Sequence, residues 1–194
     1  MKSTLRPAIV LFGALTLLVG VLYPLAVTGI GKLAFADQAA GSLVLRDGKP
    51  IGSSLIGQTF SSPHYFWSRP SATAPMSNNA AGSSGANQGP LNPALIDAVK
   101  GRISALREAD PDNKAAIPVD LVTASASGLD PEISVAAARY QAGRVASARK
   151  MPREQVDSLI SAHTIAQHLG FFGESRVNVL ALNLALDGAR HPRN

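Results

Sequence analysis

Two serines, Ser125 and Ser127, stand in a run of small residues where the pattern predicts that a strand passes into a helix. The nucleophile of many hydrolases lies on such a turn, but neither serine is framed as Gly-x-Ser-x-Gly. A Ser-His-Asp mechanism with Ser127 would need His163 as its base and one of the aspartates to orient it. The sequence therefore leaves a membrane-anchored extracytoplasmic hydrolase that uses Ser127 and His163 only as an alternative interpretation.

The histidines and acidic residues do not form a pattern of metal ligands. His163 and His168 are five residues apart, about 140° around a helix, so they cannot chelate one ion as histidines four apart do. Apolar neighbours make His163 a predicted core residue. Asp130 and Glu132 are close enough in sequence to pair as carboxylates, but we expect both to favour the positive N-terminus of a helix. The sequence predicts no metal site and no catalytic residue.

The positive charge of the chain is concentrated near its N-terminus. The 194 residues carry a formal net charge of +5, but outside Lys2, Arg6 and Lys32 there are 15 basic residues against 13 acidic ones. A nucleic-acid binder would need basic residues interleaved with stacking aromatics, and no such run occurs. The later basic residues are instead predicted to form a solvent-exposed helix face: Arg144, Arg149, Lys150 and Arg153.

The element that must position the remaining residues is an uncharged run over residues 7–31. At a rise of about 1.5 Å per residue, a helix over residues 8–31 would cross a hydrocarbon core roughly 30 Å thick. We therefore predict one transmembrane helix within an N-terminal segment of residues 1–36. A cleaved signal peptide is the competing interpretation, because Ala-Phe-Ala at 34–36 fits a cleavage site, but the run exceeds the usual h-region of about 7 to 15 residues.

The orientation of this helix follows from the charges that flank it. Lys2 and Arg6 precede it, and the positive-inside rule then keeps the N-terminus in the cytoplasm. Residues 37–194 are accordingly predicted to form an extracytoplasmic domain. The absence of cysteine is compatible with that compartment without demonstrating it.

Small residues within the helix predict a contact with another membrane helix. Gly13, Thr16 and Gly20 are separated by three and four residues, so they lie on one side of a helix and would let a second helix approach closely. Glycine is also common in membrane helices without any such role, and this interpretation stays open. Pro24 is expected to kink or end the first part of the helix near Tyr23.

The soluble part is predicted to begin with a β-hairpin, because apolar runs at residues 42–45 and 53–56 flank Asp47-Gly48. Residues 58–72 follow, with four of the ten aromatic residues and Arg69. Such a cluster is either a small core beneath a long loop or a surface for protein contact. Residues 72–93 are uncharged and rich in small residues, which predicts an irregular loop.

Helices and short strands alternate in the second half. The predicted elements are a helix that starts at Asn92-Pro93 and ends before Pro111, a strand at 118–123, a helix from Asp130-Pro131 with Gly143 as a candidate break, a helix at 152–169 stopped by Gly170, a strand at 177–180 and a short closing element at 182–186. The predicted fold is a single N-terminal transmembrane helix followed by one α+β soluble domain.

Several blocks of the sequence are specific when taken together. They are GSSLIGQTF at 52–60, RPSA at 69–72, VDLVTASASGLDP at 119–131, QAGRV at 141–145 and VNVLALNLALD at 177–187. With the chain length and the single apolar run, they resemble the KdpC family, the small subunit of bacterial Kdp potassium-transporting ATPases, over nearly the whole chain. Ser-Ser-Gly-Ala-Asn at 83–87 and Ala142-Gly143 depart from that family's usual Ser-Gly-Gly-Ser-Asn and Val-Pro.

The resemblance implies a non-catalytic subunit of a high-affinity, ATP-driven potassium uptake pump. Its partners would be a channel-like potassium-translocating subunit, a P-type ATPase subunit and a small stabilising peptide, all in the membrane and without nucleic acid. The sequence contains no Asp-Lys-Thr-Gly phosphorylation site, no P-loop and no Thr-Val-Gly-Tyr-Gly filter. Partner contacts are expected at Gly13, Thr16, Gly20, Phe60, Arg69 and Asn87.

The resemblance also implies a catalytic chaperone that raises the affinity of the ATPase subunit for ATP. The chain would have no cofactor of its own, and any ATP would be shared with that subunit. The candidate nucleotide or partner surface is Ser125, Ser127, Gly128, Asp130 and Gln141. Direct contact between this surface and ATP requires the soluble domain to lie in the cytoplasm. We instead predict that the domain lies outside, over the extracellular mouth of the potassium subunit. An external domain would change ATP affinity only as a coupling free energy through the partner's membrane helices.

Overall fold

The computed structural model describes residues 4–189. Lys2, on which the predicted orientation partly depends, lies outside the described residues. The chain divides into two compact units, one up to Leu43 and one from Val44 onward, and each is described by itself.

The first unit is dominated by one helix that runs without interruption from Leu5 to Ala34. It consists of α1 (Leu5–Leu17), a π-helical turn (Leu18–Leu22) and α2 (Tyr23–Ala34), and a short α3 (Ala36–Ala39) follows. Its mean hydropathy is 2.3 and none of it is buried within the chain. At 30 residues the helix is about 45 Å long, enough to cross a bilayer. The single apolar N-terminal helix is confirmed, with wider bounds than 8–31.

Pro24 was predicted to kink or end this helix near Tyr23, and it does not end it. The π turn lies directly before the proline, and the N–H of Tyr23 donates to the carbonyl of Leu18, five residues back. Pro24 has no N–H with which to donate to a carbonyl of the preceding turn, and a π turn is one way in which a helix continues past such a residue.

The predicted hairpin is β1 (Leu43–Arg46) paired with β2 (Lys49–Ser53); it begins at the last residue of the first unit and otherwise belongs to the second. Asp47 and Gly48 both have positive φ, 53° and 74°, as a two-residue type I′ turn requires. The second strand therefore starts directly after the turn, and not at residues 53–56 as predicted.

A three-stranded antiparallel sheet contains β3 (Glu132–Ser134), β4 (Thr164–Ile165) and β5 (Arg176–Asn178), in the order β3-β5-β4. Buried Ile133 stands opposite buried Val177 in the register. The strand predicted at 177–180 is therefore present but shorter, because the chain turns into a helix at Val179.

Helix α4 (Pro93–Ala109) agrees closely with its prediction. The side chain of Asn92 accepts a hydrogen bond from the N–H of Ala94 at 3.0 Å, which is the expected N-cap, and the helix ends at Asp110, before Pro111. Residues 54–92 contain no helix or strand among them, so the irregular loop predicted at 72–93 is confirmed up to the cap.

Helix α5 (Val135–Arg149) starts later than predicted and is not divided at Gly143. Pro131 precedes a strand instead of opening the helix, because Ser134 provides the cap: its Oγ accepts from the N–H of Ala137 at 3.0 Å. The helix ends where Lys150 takes a left-handed conformation.

One further predicted element was wrong, and another is shorter than predicted. Residues 118–123 form a single 3₁₀ turn (Val119–Leu121), not a strand. Leu121 and the adjacent Val122 are both buried, whereas a strand would direct them to opposite faces. The helix predicted at 152–169 is α6 (Arg153–Ala162) and ends well before Gly170, because the chain enters β4 at Thr164.

Helix α5 lies at the centre of the second unit. It packs on α6 and on the sheet, and α7 (Val179–Ala189) also packs on α6. The largest fully buried apolar side chains come from α5, α6, α7, the sheet and the aromatic segment: Phe66, Ile133, Val145, Val156, Ile160, Val177, Val179, Leu182 and Leu186. Helices on small antiparallel sheets confirm the α+β class.

Candidate functional site

The predicted nucleotide surface at residues 125–130 is a tight turn whose serine side chains accept hydrogen bonds from its own backbone. The N–H of Gly128 donates to Ser125 Oγ at 3.0 Å, and the N–H of Leu129 donates to Ser127 Oγ at 3.1 Å. Gly128 has a φ of +67°, where a side chain would be strained. Ser125 and Gly128 are buried, and Ser127 is exposed.

The uncharged loop packs directly over this turn. The carbonyl of Ser127 accepts two hydrogen bonds from the loop, each of 3.0 Å. One comes from the backbone N–H of Ser84 and the other from the side-chain hydroxyl of Ser83. Ser71 Oγ donates to the carbonyl of Gly128 at 2.7 Å. A Cβ on Gly85 would lie 2.7 Å from the carbonyl oxygen of Ala126, so only glycine allows this approach. Most of the turn is therefore a structural junction for the loop.

Asp130 is held by an ion pair and by its own turn. Arg69 Nη1 lies 2.9 Å from Asp130 Oδ2, and Asp130 Oδ1 accepts from the N–H of Glu132 at 3.0 Å. Glu132 pairs with Arg176 at 2.6 Å. The prediction that Asp130 and Glu132 lie at the N-terminus of a helix was wrong, because Glu132 begins β3 and α5 starts only at Val135.

These two ion pairs border a surface cavity of about 600 Å³. Its charged lining is mixed in sign, with four carboxylates and two guanidinium groups: Arg69, Asp120, Asp130, Glu132, Glu174 and Arg176. Asp120 is already used, because its carboxylate accepts from the N–H of Ser134 at 2.8 Å. Arg69, a predicted partner contact, is thus engaged within the chain.

Gln141 does not join the serines of the candidate surface. It is 1% exposed, and its side-chain amide pairs with the backbone of Trp67. The N–H of Trp67 donates to Gln141 Oε1 at 2.8 Å, and Gln141 Nε2 donates to the carbonyl of Trp67 at 3.1 Å. Asn183 on α7 pairs in the same way with Phe66, at 2.8 and 3.0 Å. Two side-chain amides therefore bind consecutive backbone residues, as a neighbouring strand would.

Two of the basic residues of α5 are buried, so the prediction of a solvent-exposed basic face was wrong for Arg144 and Arg149, each 6% exposed. Arg144 donates to the carbonyls of Pro63 and Tyr65 at 2.8 and 3.1 Å, and its guanidinium lies 4.5 Å from the ring centroid of Trp67. Burial lowers the pKa of Arg144 to about 10, which leaves it charged at neutral pH.

Arg149 joins the same segment to the last helix. Its Nε donates to the carbonyl of His64 at 2.6 Å, its guanidinium stacks 4.8 Å from the centroid of Tyr65, and Nη2 lies 2.9 Å from Asp187 Oδ1. Tyr65 donates its hydroxyl to the same carboxylate at 3.1 Å. Burial opposes the charge of Asp187, but hydrogen bonds from Arg149 and Tyr65 outweigh it and lower the pKa of this carboxyl.

The aromatic segment is therefore a strap, defined here as residues 60–69, that α5 and α7 hold against the core. Phe66 is fully buried and Phe60 and Trp67 pack against the core cluster, which favours packing over an open contact surface. Four of the residues that hold the strap were not among the predicted site residues: Arg144, Arg149, Asn183 and Asp187. One signal was present, since Asn183 interrupts the otherwise apolar stretch Val179–Leu186.

In the part of the chain that the structure describes, the groups needed for a hydrolase are not assembled. His163 is half-buried at the end of α6, not in the core as predicted, and its Nδ1 lies 2.9 Å from the carbonyl of Leu159. Within residues 4–189 no hydrogen bond joins Ser127 to His163 or to an aspartate. Nor do three His, Asp or Glu side chains in that range converge as a metal site.

The other predicted partner contacts are exposed. The positions of Gly13 and Gly20 face open space, apart from Thr16 Cγ2 at 3.9 Å from a Cβ placed on Gly20. Asn87 is exposed in the loop with a φ of +51°. These positions are accessible to a partner, and no contact within the described chain accounts for them.

Known proteins resemble this chain over both of its units. A model of the family described as KdpC, the c chain of K⁺-transporting ATPase, matches residues 5–188. The potassium-transporting ATPase KdpC subunit of Herminiimonas arsenicoxydans is 73% identical over 187 residues, which are 96% of this chain and 98% of that protein. The subunits of the same name from Janthinobacterium sp. (strain Marseille) and Variovorax paradoxus (strain S110) are 67% and 63% identical, over 96% and 100% of this chain and 99% and 100% of theirs.

Proposed function

The chain belongs to the KdpC family, and on that premise we propose that it is the non-catalytic accessory subunit of a high-affinity, ATP-driven potassium pump. The observation that carries the proposal is the fully unburied apolar helix Leu5–Ala34 joined to a domain whose candidate polar groups are engaged internally. Such a chain is suited to assembly within a membrane and offers no assembled catalytic group among residues 4–189.

Assembly would involve the channel-like potassium subunit, the P-type ATPase subunit and the small peptide. We propose that the N-terminal helix packs on one of them through Gly13, Thr16 and Gly20, since lipid gives no hydrophobic drive for association and close approach needs small residues. Substitution at Gly13 meets open space within the chain, so it leaves the helix itself undisturbed.

The test is co-purification of the tagged chain with the pump in mild detergent. Wild type should bring down the potassium and ATPase subunits together, whereas Gly13→Ile with Gly20→Ile should reduce their recovery about tenfold. Gly29→Ile is the matched control, because Gly29 also faces open space but lies outside the three-residue face. Recovery of the wild-type chain alone would overturn the proposal.

The effect on ATP affinity is proposed to be indirect. Ser125 and Gln141 are buried and their side chains bind backbone groups, which makes them unsuited to hold a nucleotide without rearrangement. An external domain would act through the partner's membrane helices as a coupling free energy, of about 1–3 kcal/mol by the usual range.

A photoreactive ATP analogue distinguishes the two routes in the purified complex. We expect labelling of the ATPase subunit only, and a KM for ATP that rises when the chain is omitted. Labelling of this chain at residues 125–130 would overturn the indirect route and would place its domain in the cytoplasm.

A further inference from the structure

The connection between β4 and β5 is an ordered hairpin with an apolar tip. His168 and Phe172 form an antiparallel bridge, with N–H to carbonyl distances of 3.0 and 2.9 Å. Gln167 Nε2 donates to the carbonyl of Gly173 at 2.8 Å, which closes the hairpin below the tip. The tip is therefore closed by hydrogen bonds within residues 167–173.

Three large apolar side chains project from this tip. Leu169, Phe171 and Phe172 are 72%, 68% and 56% exposed, and the two phenyl rings are in contact, with centroids 4.3 Å apart and planes inclined by 35°. Apolar side chains grouped at one exposed point mark a contact site more often than scattered ones do. The hairpin tip is defined here as residues 168–172.

Leu169 also has an unfavourable backbone. Its φ is +53°, in the left-handed region that branched apolar residues avoid at a cost of about 1–3 kcal/mol. Asparagine or glycine would relieve that strain at this exposed position. A leucine is consequently a poor choice for the fold alone, and its apolar side chain needs another explanation.

The charge around the tip indicates what covers it. Residues 158–173 contain no Asp, Glu, Lys or Arg. The first charge beyond the tip is Glu174, and Arg176 already pairs with Glu132. A loop that binds anionic lipid usually adds basic residues, and an interfacial loop usually uses Trp or Tyr. This tip has neither, so it is complementary to an uncharged, apolar protein surface.

We propose that the hairpin tip docks into an apolar, uncharged depression on another subunit of the pump, with Leu169, Phe171 and Phe172 as the anchoring side chains. This inference rests on the proposed function, because it takes its partner from the same complex. Aromatic and aliphatic anchors on a preordered element bind with little loss of conformational entropy.

Site-specific crosslinking identifies what lies against the tip. Benzoylphenylalanine is introduced at Phe171, and at Leu91 as a control that is even more accessible, since Leu91 is 90% exposed elsewhere on the domain. Irradiation of the assembled pump should crosslink position 171 to another pump subunit and leave position 91 uncrosslinked. A crosslink from position 171 to lipid or to a second copy of this chain, or no crosslink, would overturn the proposal.

Substitution separates docking from folding. Leu169→Asn keeps a residue that tolerates the left-handed backbone and removes the apolar side chain, so the domain should unfold at an equal or higher temperature. Its retention in the complex under a detergent wash should nevertheless fall about tenfold, while Leu91→Asn stays within twofold of wild type. Equal retention of Leu169→Asn and wild type would refute the docking. Failure of the wild type to assemble would instead refute the proposed function.

Discussion

At the scale of single residues, the fluorescence of the chain's one tryptophan, Trp67, can show whether Gln141 holds the strap in place. The two hydrogen bonds between Gln141 and the backbone of Trp67 are called the clamp here. Gln141 binds both backbone polar groups of Trp67, so Gln141→Ala leaves both without their partner. We expect a loss of about 1–3 kcal/mol in the free energy of unfolding for each group left unsatisfied, and a red-shifted Trp67 emission.

The measurement is thermal unfolding of the full chain in mild detergent, followed by fluorescence. Gln155→Ala is the matched control, because Gln155 is exposed on the neighbouring helix and none of its side-chain atoms is bonded to the strap. If both variants unfold like wild type with unchanged emission, the clamp does not stabilise the strap.

Asp187 makes a pH-dependent contribution through Arg149 and Tyr65. Its pKa in the folded chain is lowered from 3.8, so its stabilising contribution is complete above that value and is lost as the pH falls through the folded pKa. Asp187→Asn should lower the unfolding free energy by about 1–3 kcal/mol at pH 7. The difference from wild type should narrow as the pH falls below about 4.

Unfolding temperatures of both proteins between pH 3 and 7 test this contribution. Asp97→Asn serves as the control, because Asp97 is an exposed carboxylate on α4 to which no hydrogen bond or ion pair is assigned. A gap between wild type and Asp187→Asn that stays constant over this range would contradict the assignment.

Sequence reasoning found few of the residues that hold the second unit together. Gln141 was selected, but for a ligand surface, and Arg144 and Arg149 were assigned to solvent. An arginine or glutamine whose side chain is buried against backbone carbonyls cannot be told from a solvent-exposed one by its place in the sequence. Only the partner distinguishes them, and the strap lies more than 70 positions away in the sequence, as the Gln141 to Trp67 bonds show.

At the scale of elements, Ser134 decides where the central helix begins. Its Oγ accepts from the N–H of Ala137, while its own N–H is bound by Asp120. Ser134→Ala should cost about 1 kcal/mol of unfolding free energy through the lost cap. Chemical denaturation of the full chain measures this, and the midpoint should shift without a change in slope.

Ser158→Ala provides the comparison for that variant. Ser158 Oγ donates to the carbonyl of Glu154 within α6, a bond that contributes little to helix stability. Its replacement should leave the midpoint within experimental error. Equal shifts for the two serine variants would show that the cap contributes nothing.

Elements with a local signal were predicted well, and elements set by distant contacts were not. Helix α4 begins at Asn92-Pro93 because the side chain of Asn92 caps a backbone N–H only two residues away. The hairpin turns at Asp47-Gly48 because these two residues themselves adopt the left-handed backbone that the turn requires. By contrast, Pro131 resembles a helix start, but Glu132 to Ser134 pair with β5 instead. Pairing with a strand 40 or more positions away overrides such a local preference.

At the scale of the whole molecule, one compact unit is mostly apolar and has no buried residue between positions 4 and 43, and the other has its own core. The apolar helix was predictable because a run of uncharged residues needs no tertiary information. Its direction across the membrane depends on a few flanking charges, and it determines whether the domain can reach cytoplasmic ATP at all.

That direction can be measured with single cysteines, since the chain has none of its own. Ser84 is exposed in the uncharged loop, and Thr4 lies just before the N-terminal helix. With the N-terminus inside, an impermeant maleimide should label Ser84→Cys in intact spheroplasts, and Thr4→Cys only after lysis. The reverse pattern would place the domain in the cytoplasm. Direct contact between ATP and the exposed Ser127 would then become the route to test, and the coupling through partner helices would lose its basis.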